Sequence, residues 1–206
     1  IAAQAVNPSV LTTGFGLSLS ILAMYLTINN PCACMDSLTG LNDKQYLLRR
    51  MDELTDAHKA FHIITVYAYQ LDHINKVAGV QNGDEFLRRA AERMQEIADR
   101  NVFRISGKRF LLMTFSLREY ETCLTRLRQL FHTQPDDAHA APTPVILCGV
   151  VNAEKLGTSG LVLDYAEYLE SLVSRSGETQ VIQNDRKTMD SFHYNKQVEQ
   201  FLHRAI

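Results

Sequence analysis

Charge of either sign is not in excess. Lys and Arg total 21 against 23 Asp and Glu, giving a formal net charge of -2 over 206 residues. A nucleic-acid or anionic-membrane binder driven by bulk charge is disfavoured on that ground. Cysteine is scarce, with four in the chain, too few for a disulfide-built scaffold. There is no Walker loop, no Gly-rich dinucleotide turn and no G-x-S-x-G elbow, so those routes to phosphate binding and acyl transfer lack their signatures. The seven His are scattered, and none forms H-x-x-x-H with a carboxylate partner. No internal repeat or low-complexity tract is visible. What is present is an ordinary globular balance, 46% hydrophobic and 21% charged, in a length suited to one domain plus an appendage. The chain opens on Ile1 rather than Met, which reads as a fragment or a processed chain.

One charge-free run stands out. Val10 to Ile28 carries no ionisable side chain except Tyr25 and approaches the ~20 residues that span a bilayer as a helix. Gly14, Gly16 and the Ser/Thr residues dilute it, as they do in membrane helices that pack against neighbours. A signal peptide and a buried soluble helix are the rival readings. No basic residue precedes the run and no A-x-A-like site follows it, against the first; no polar face recurs at helical spacing, against the second. A transmembrane helix with its juxtamembrane segment is expected over residues 1–35. Lys44, Arg49 and Arg50 then favour a cytoplasmic side for the chain beyond that segment. Cys32 and Cys34 read as plain thiols, with palmitoylation or metal binding as the sharper alternatives. Cys123 and Cys148 sit in apolar contexts and read as core.

Periodicity places the remaining elements. Helices are expected over Asp43–Ala57, Asn82–Arg100, Leu117–His132 and Gly160–Ser174, each with apolar residues recurring on one face. Strands are expected over Phe61–Tyr69, Pro144–Val151 and Thr179–Ile182. A hairpin joins Val102–Ile105 to Arg109–Phe115 through Ser106-Gly107-Lys108. Thr133–Pro144 is a polar, Pro-containing loop. Arg186–Ile206 resumes a helical pattern and reads as a linker. The order predicts an α/β (α+β) fold, with a ferredoxin-like β-α-β-β-α-β core forming one mostly antiparallel sheet flanked by helices.

Asp36-Ser37-Leu38-Thr39-Gly40-Leu41 resembles the D-x-L-T-G-L opening of GGDEF domains, the bacterial diguanylate cyclase family. Its continuation, x-N-R in the family, is here Asn42-Asp43-Lys44. The family's D-x-D-x-F-K-x-x-N-D-x-x-G-H-x-x-G-D block aligns with Tyr67 to Asp84, anchored by Asn75, Gly79, Gly83 and Asp84. Its R-x-G-G-D/E-E-F block aligns with Arg104-Ile105-Ser106-Gly107-Lys108-Arg109-Phe110. The resemblance covers about residues 36–185 and implies a nucleotidyl-cyclase palm fold. Asn82-Gly83-Asp84-Glu85-Phe86 imitates the signature, but belongs to the Asn75 block. Residues 186–206 resemble the helix that links many such domains to an EAL phosphodiesterase domain.

The resemblance also exposes departures. In the family two domains face each other, and Mg²⁺ organises two GTP molecules on carboxylates. The position of the first metal carboxylate is Tyr67 here, and the two acids of the signature are Lys108 and Arg109. At ~4 Å two like unit charges cost on the order of 1–4 kcal/mol, and a dication doubles that. The family's Lys is replaced by Asp72. Either Asp72 pairs with Lys108 or Arg109 to restore neutrality, or the two cations face phosphate oxygens directly. Asn75 and Asp84 match the family's guanine-binding pair. Otherwise Asn75 ends a helix and Asp84 supplies charge near a helix N-terminus. The inhibitory R-x-x-D is replaced by Ile97-Ala98-Asp99-Arg100, so product binding there is not expected.

The expectation is a degenerate, catalytically silent GGDEF domain in cyclic di-GMP signalling. It would need no cofactor and bind no Mg²⁺. GTP would be its regulatory ligand, through Asn75, Asp84, Lys108 and Arg109. It would act on a downstream EAL-type domain, with a homodimer through the GGDEF domain and no nucleic-acid partner. The location implied is the inner membrane of a bacterium, held by Val10–Ile28. Rival readings are an active cyclase with an atypical site and a purely structural dimerisation module. A ferredoxin-like RNA binder is least favoured, since its aromatic-and-basic strand signature is missing.

Overall fold

The computed structural model describes residues 8–28, 34–132, 144–173 and 178–204. Two units emerge, Ile1–Met35 and Asp36–Ile206.

The first unit is a single helix, α1 (Pro8–Ile28). Phe15, Leu17, Leu19, Ile21, Leu22, Met24 and Tyr25 are exposed along it. The Ser18 and Ser20 hydroxyls donate to the Gly14 and Gly16 carbonyls one turn back. The membrane-spanning expectation is not met: among the described residues, no helix is long and apolar enough to cross a membrane. Gly14, Gly16, Ser18 and Ser20 interrupt the apolar run. Cys32 lies outside the described residues, and Cys34 is buried.

The second unit is built on a six-stranded sheet of order β1-β3-β4-β2-β5-β6. Its strands are β1 (Asn42–Asp43), β2 (His62–Tyr67), β3 (Val102–Ser106), β4 (Arg109–Thr114), β5 (Ile146–Val150) and β6 (Gln180–Gln183). The four inner strands pair antiparallel, and the two edges pair parallel. β4 lies between β2 and β3, so the βαβ unit is split, as the ferredoxin-like order requires. Helices α2 (Lys44–Asp56), α3 (Leu71–Ala78), α4 (Val80–Ala98), α5 (Leu117–His132), α6 (Ser159–Ser171) and α7 (Arg186–Arg204) complete the unit.

The sheet is covered on both faces. Ile64, Val66, Phe110, Leu112 and Leu147 meet α4 and α5 through Leu87, Met94, Tyr120 and Leu127. Ile63, Leu111, Met113, Ile146 and Cys148 meet α2 and α6 through Leu47, Met51, Val162 and Leu169. That is why β2 and β5 read as continuous apolar runs rather than alternating ones. Each fully buried Leu, Ile or Phe contributes about 1.5–3 kcal/mol relative to exposure. Burial also pushes the Cys148 thiol up to about 12, as expected of an inert core cysteine.

Most element boundaries differ from the sequence reading by a residue or a few, and the two-residue strand β1 was not foreseen. Leu71–Ala78 is a helix of its own that the sequence reading left out; Leu71, Ile74 and Val77 recur at helical spacing, although only Leu71 is buried. α4 begins at Val80, two residues before the expected start. The short strand at the end runs Gln180–Gln183. Most of the Thr133–Pro144 loop and the Ser174 end of the expected helix lie outside the described residues.

Candidate functional site

The residues singled out in the family blocks gather at one end of the sheet, where β2 ends, the β3–β4 turn projects and α3 meets α4. The Ala68 amide donates to the Lys108 carbonyl at 2.9 Å, fastening the turn to the chain leaving β2. Arg104 holds the turn from within. Its Nε and Nη2 donate to the carbonyls of Ser106 (3.3 Å) and Gly107 (3.2 Å). Its Nη1 donates to Asp36 Oδ1 at 2.6 Å. Asp36 also accepts from the Thr39 amide and hydroxyl. Burial alone would raise the Asp36 pKa, but the hydrogen bonds from Arg104 and Thr39 outweigh it and hold the carboxyl below its usual value.

Lys108 and Arg109 leave the turn in different directions. Lys108 Nζ pairs with Asp72 Oδ2 in the first turn of α3, the plain neutralising reading. Arg109 stands opposite Tyr67 in the β2–β4 register, and its Cζ lies 4.7 Å from the Tyr67 ring centroid, a cation–π contact. The guanidinium forks onto Glu170 of α6. Nε is 3.1 and 3.0 Å from the two carboxylate oxygens, and Nη2 is 2.7 Å from Oε2. Nη1 lies 3.6 Å from Glu167. The Glu170 bond raises the Arg109 pKa, against burial, which lowers it. A cavity of about 60 Å³ adjoins this bridge, lined in part by Lys44, Thr65, Ser106, Glu167 and Glu170.

The donor set does not fit a divalent cation. Tyr67 offers a ring, Lys108 and Arg109 offer positive charge, and Glu170 is engaged by the guanidinium. Among the described residues, no group of three or more His, Cys, Asp or Glu is placed to hold a metal. Of the two cations expected to face a phosphate, Arg109 is paired with Glu170 in this structure. Lys108 is paired with Asp72.

The α3–α4 turn brings Gly83, the neighbour of Asp84, against the Asn75 side chain. A Cβ built on Gly83 would fall 1.8 Å from Asn75 Oδ1, so only glycine lets α4 approach this side chain so closely. Asn75 Oδ1 is buried and has no hydrogen-bond partner among the described residues. Asp84 sits in the second turn of α4, half-buried. An orphaned buried acceptor is costly, roughly 1–3 kcal/mol, and such atoms often await a ligand or water. The helix-ending reading of Asn75 describes its backbone only: its carbonyl accepts from the Gly79 amide.

A family model described as Diguanylate cyclase, GGDEF domain matches residues 33–164. The chain belongs to the GGDEF family. Solved structures agree in fold. The coiled coil and GGDEF domain of DgcB from Caulobacter crescentus, in complex with c-di-GMP, superposes with a TM-score of 0.62 at 16% identity, covering 85% of this chain and 98% of that one. A diguanylate cyclase/phosphodiesterase from Caldicellulosiruptor saccharolyticus gives 0.59 at 17%, covering 74% and 95%. The diguanylate cyclase SiaD from Pseudomonas aeruginosa, in complex with its activator SiaC, gives 0.55 at 18%, covering 86% and 71%. No curated protein matches the sequence.

Sequence reasoning missed Glu170 and Glu167 of this GGDEF domain. The signal was present: Glu170 falls on the apolar stripe of α6 with Leu163 and Ala166, and a carboxylate there demands a cation. Which cation was a matter of tertiary structure.

Proposed function

We propose that this GGDEF domain is a catalytically silent module of cyclic di-GMP signalling that binds a guanine nucleotide without metal and modulates a partner domain. The observation that carries it is the charge inversion at the turn. The family's metal positions are Tyr67 and Lys108 here and the next acid of the signature is Arg109, and each cation is matched by a carboxylate, Asp72 for Lys108 and Glu170 for Arg109. Catalysis of 3′-hydroxyl attack requires a group that lowers that oxygen's pKa and neutralises a triphosphate. The carboxylates at this end of the sheet, Asp72, Glu167 and Glu170, are engaged by Lys108 and Arg109. Binding is a lesser demand. The unpartnered Asn75 Oδ1 accepts from a guanine N–H, Asp84 accepts from its neighbours on the same edge, and Lys108 reaches phosphate by exchanging Asp72 for it.

The modulated partner is read as an EAL-type phosphodiesterase domain continuing from α7, in keeping with the helical pattern of residues 186–204. Nucleotide occupancy then shifts that partner by its differential affinity for two states. Two measurements test the reading. Calorimetric titration of GTP in EDTA is expected to show binding that Asn75→Ala abolishes; binding that appears only when Mg²⁺ is added contradicts it. Incubation with GTP and Mg²⁺ or Mn²⁺ is expected to give no cyclic dinucleotide; turnover restores the active-cyclase reading. If no guanine nucleotide shifts the melting temperature, a structural dimerisation module is the better account.

A further inference from the structure

Helix α6 is shared by two sites. One flank carries Glu170 and Glu167 to Arg109, the residue that closes the β3–β4 turn. Another part of it seats α7. The Tyr165 hydroxyl lies 2.9 Å from Thr188 Oγ1, and Lys196 Nζ is 2.9 Å from Asp164 Oδ2. Phe192 is 3% exposed, with its ring centroid 5.0 Å from that of Tyr165 and 5.6 Å from that of Tyr168. α6 thus has its strongest polar anchor at the turn and its aromatic seat under the C-terminal helix. Past Phe192 that helix loses its cover: Tyr194, Phe201 and Leu202 are exposed.

We propose that α6 is a mechanical link that couples the state of the β3–β4 turn to the seating of α7. Arg109 is the positioning residue of this link, held between Glu170 and the Tyr67 ring. A bidentate fork fixes both the distance and the rotation of α6 relative to the turn, which a single point charge does not. A ligand that draws the turn toward α3 competes for that position, and α6 then shifts under the Phe192 seat. Packed aromatic contacts do not deform gradually, so a small displacement there is read out as seating or release. The input of the link rests on the reading that this end of the sheet takes a ligand; the link itself does not.

Hydrogen exchange on the full chain, read by mass spectrometry, tests it in both directions. Glu170→Gln keeps the side-chain shape and removes the charge that grips Arg109. Exchange over residues 186–199 is expected to rise at least about fivefold, the lower end of ordinary site-to-site coupling, with α4 and α5 unchanged. Coupling is reciprocal, so Phe192→Ala is expected to raise exchange over residues 104–110. Tyr165→Phe removes one hydrogen bond, keeps the ring in its packing, and acts in the same direction with a smaller rise. A response confined to the mutated end, or a rise spread equally over α4 and α5, overturns the proposal. If Glu170→Gln does not fold, the Phe192 and Tyr165 variants decide it alone. GTP added in EDTA is the separate arm: absent protection of α3 and the turn, the ligand reading fails while the link stands on the unliganded variants.

Discussion

A single side chain here has meaning only with its partner. Asn75 is the sharpest case, since its amide oxygen is held against Gly83 with nothing among the described residues to accept from. Gly83→Ala is expected to push that side chain out of place. Guanine-nucleotide affinity should fall at least tenfold while the fold loses about 1–3 kcal/mol, the range for an overpacked contact; titration calorimetry and thermal melting separate the two effects. His62 is the second case. It is 5% exposed, and its Nδ1 accepts from the Asn152 amide at 2.9 Å. Burial lowers its pKa, with Glu154 and Glu119 opposing. The folded state therefore resists the proton that the unfolded chain takes up near pH 6.5. Above that pH there is no penalty; as pH falls below it, stability declines until the depressed native value is passed. Denaturant melts from about pH 7.5 to about pH 5 should show this slope, and His62→Gln should flatten it.

Elements are positioned here by polar ties at their ends as well as by apolar faces. The Asp36–Thr39 turn and the β3–β4 turn are far apart in sequence but joined through Arg104, whose side chain is 10% exposed. Asp36→Ala removes one partner of a shielded pair and leaves the Arg104 guanidinium under-satisfied, at a cost of about 2–3 kcal/mol. The tie also has an acid limit. Because the native pKa of Asp36 is depressed, its contribution is full above about pH 4 and is lost as pH falls through the native value. Chemical denaturation at about pH 7 and about pH 3 should show the parent and the variant converging at the lower pH. The helical elements differ in how openly they announce themselves. α5 was legible residue for residue, since Tyr120, Leu124, Leu127 and Phe131 face one core. α3 was not: Leu71, Ile74 and Val77 recur at helical spacing, but the helix spans only Leu71–Ala78 and buries only Leu71, too short a window for the period to stand out.

At the scale of the whole molecule, charge has been exchanged in pairs across the site rather than lost. Lys108 faces Asp72, and Arg109 faces Glu170. Restoring a single family acid is therefore expected to fail. Lys108→Glu alone sets two carboxylates together and lowers stability by about 1 kcal/mol, a modest sum because both side chains meet solvent. Joined with Asp72→Lys, it should recover the parent melting temperature. Thermal melts of the two single variants and the double variant, read as a mutant cycle, measure the coupling; strict additivity would show that the pair does not interact.

The amino-acid order by itself pointed to the family and to most of the strand and helix sequence, short of β1 and α3, because motif identity and hydrophobic period are properties of neighbours along the chain. It left open which acid answers which base, and suggested a membrane span that the described residues do not support. Only the tertiary structure decided that Lys108 turns to α3 while Arg109 is gripped by Glu170, 61 positions away. Partnership between distant charges depends on which face of the sheet each side chain meets, and strand register and helix docking fix that face only once the core has closed.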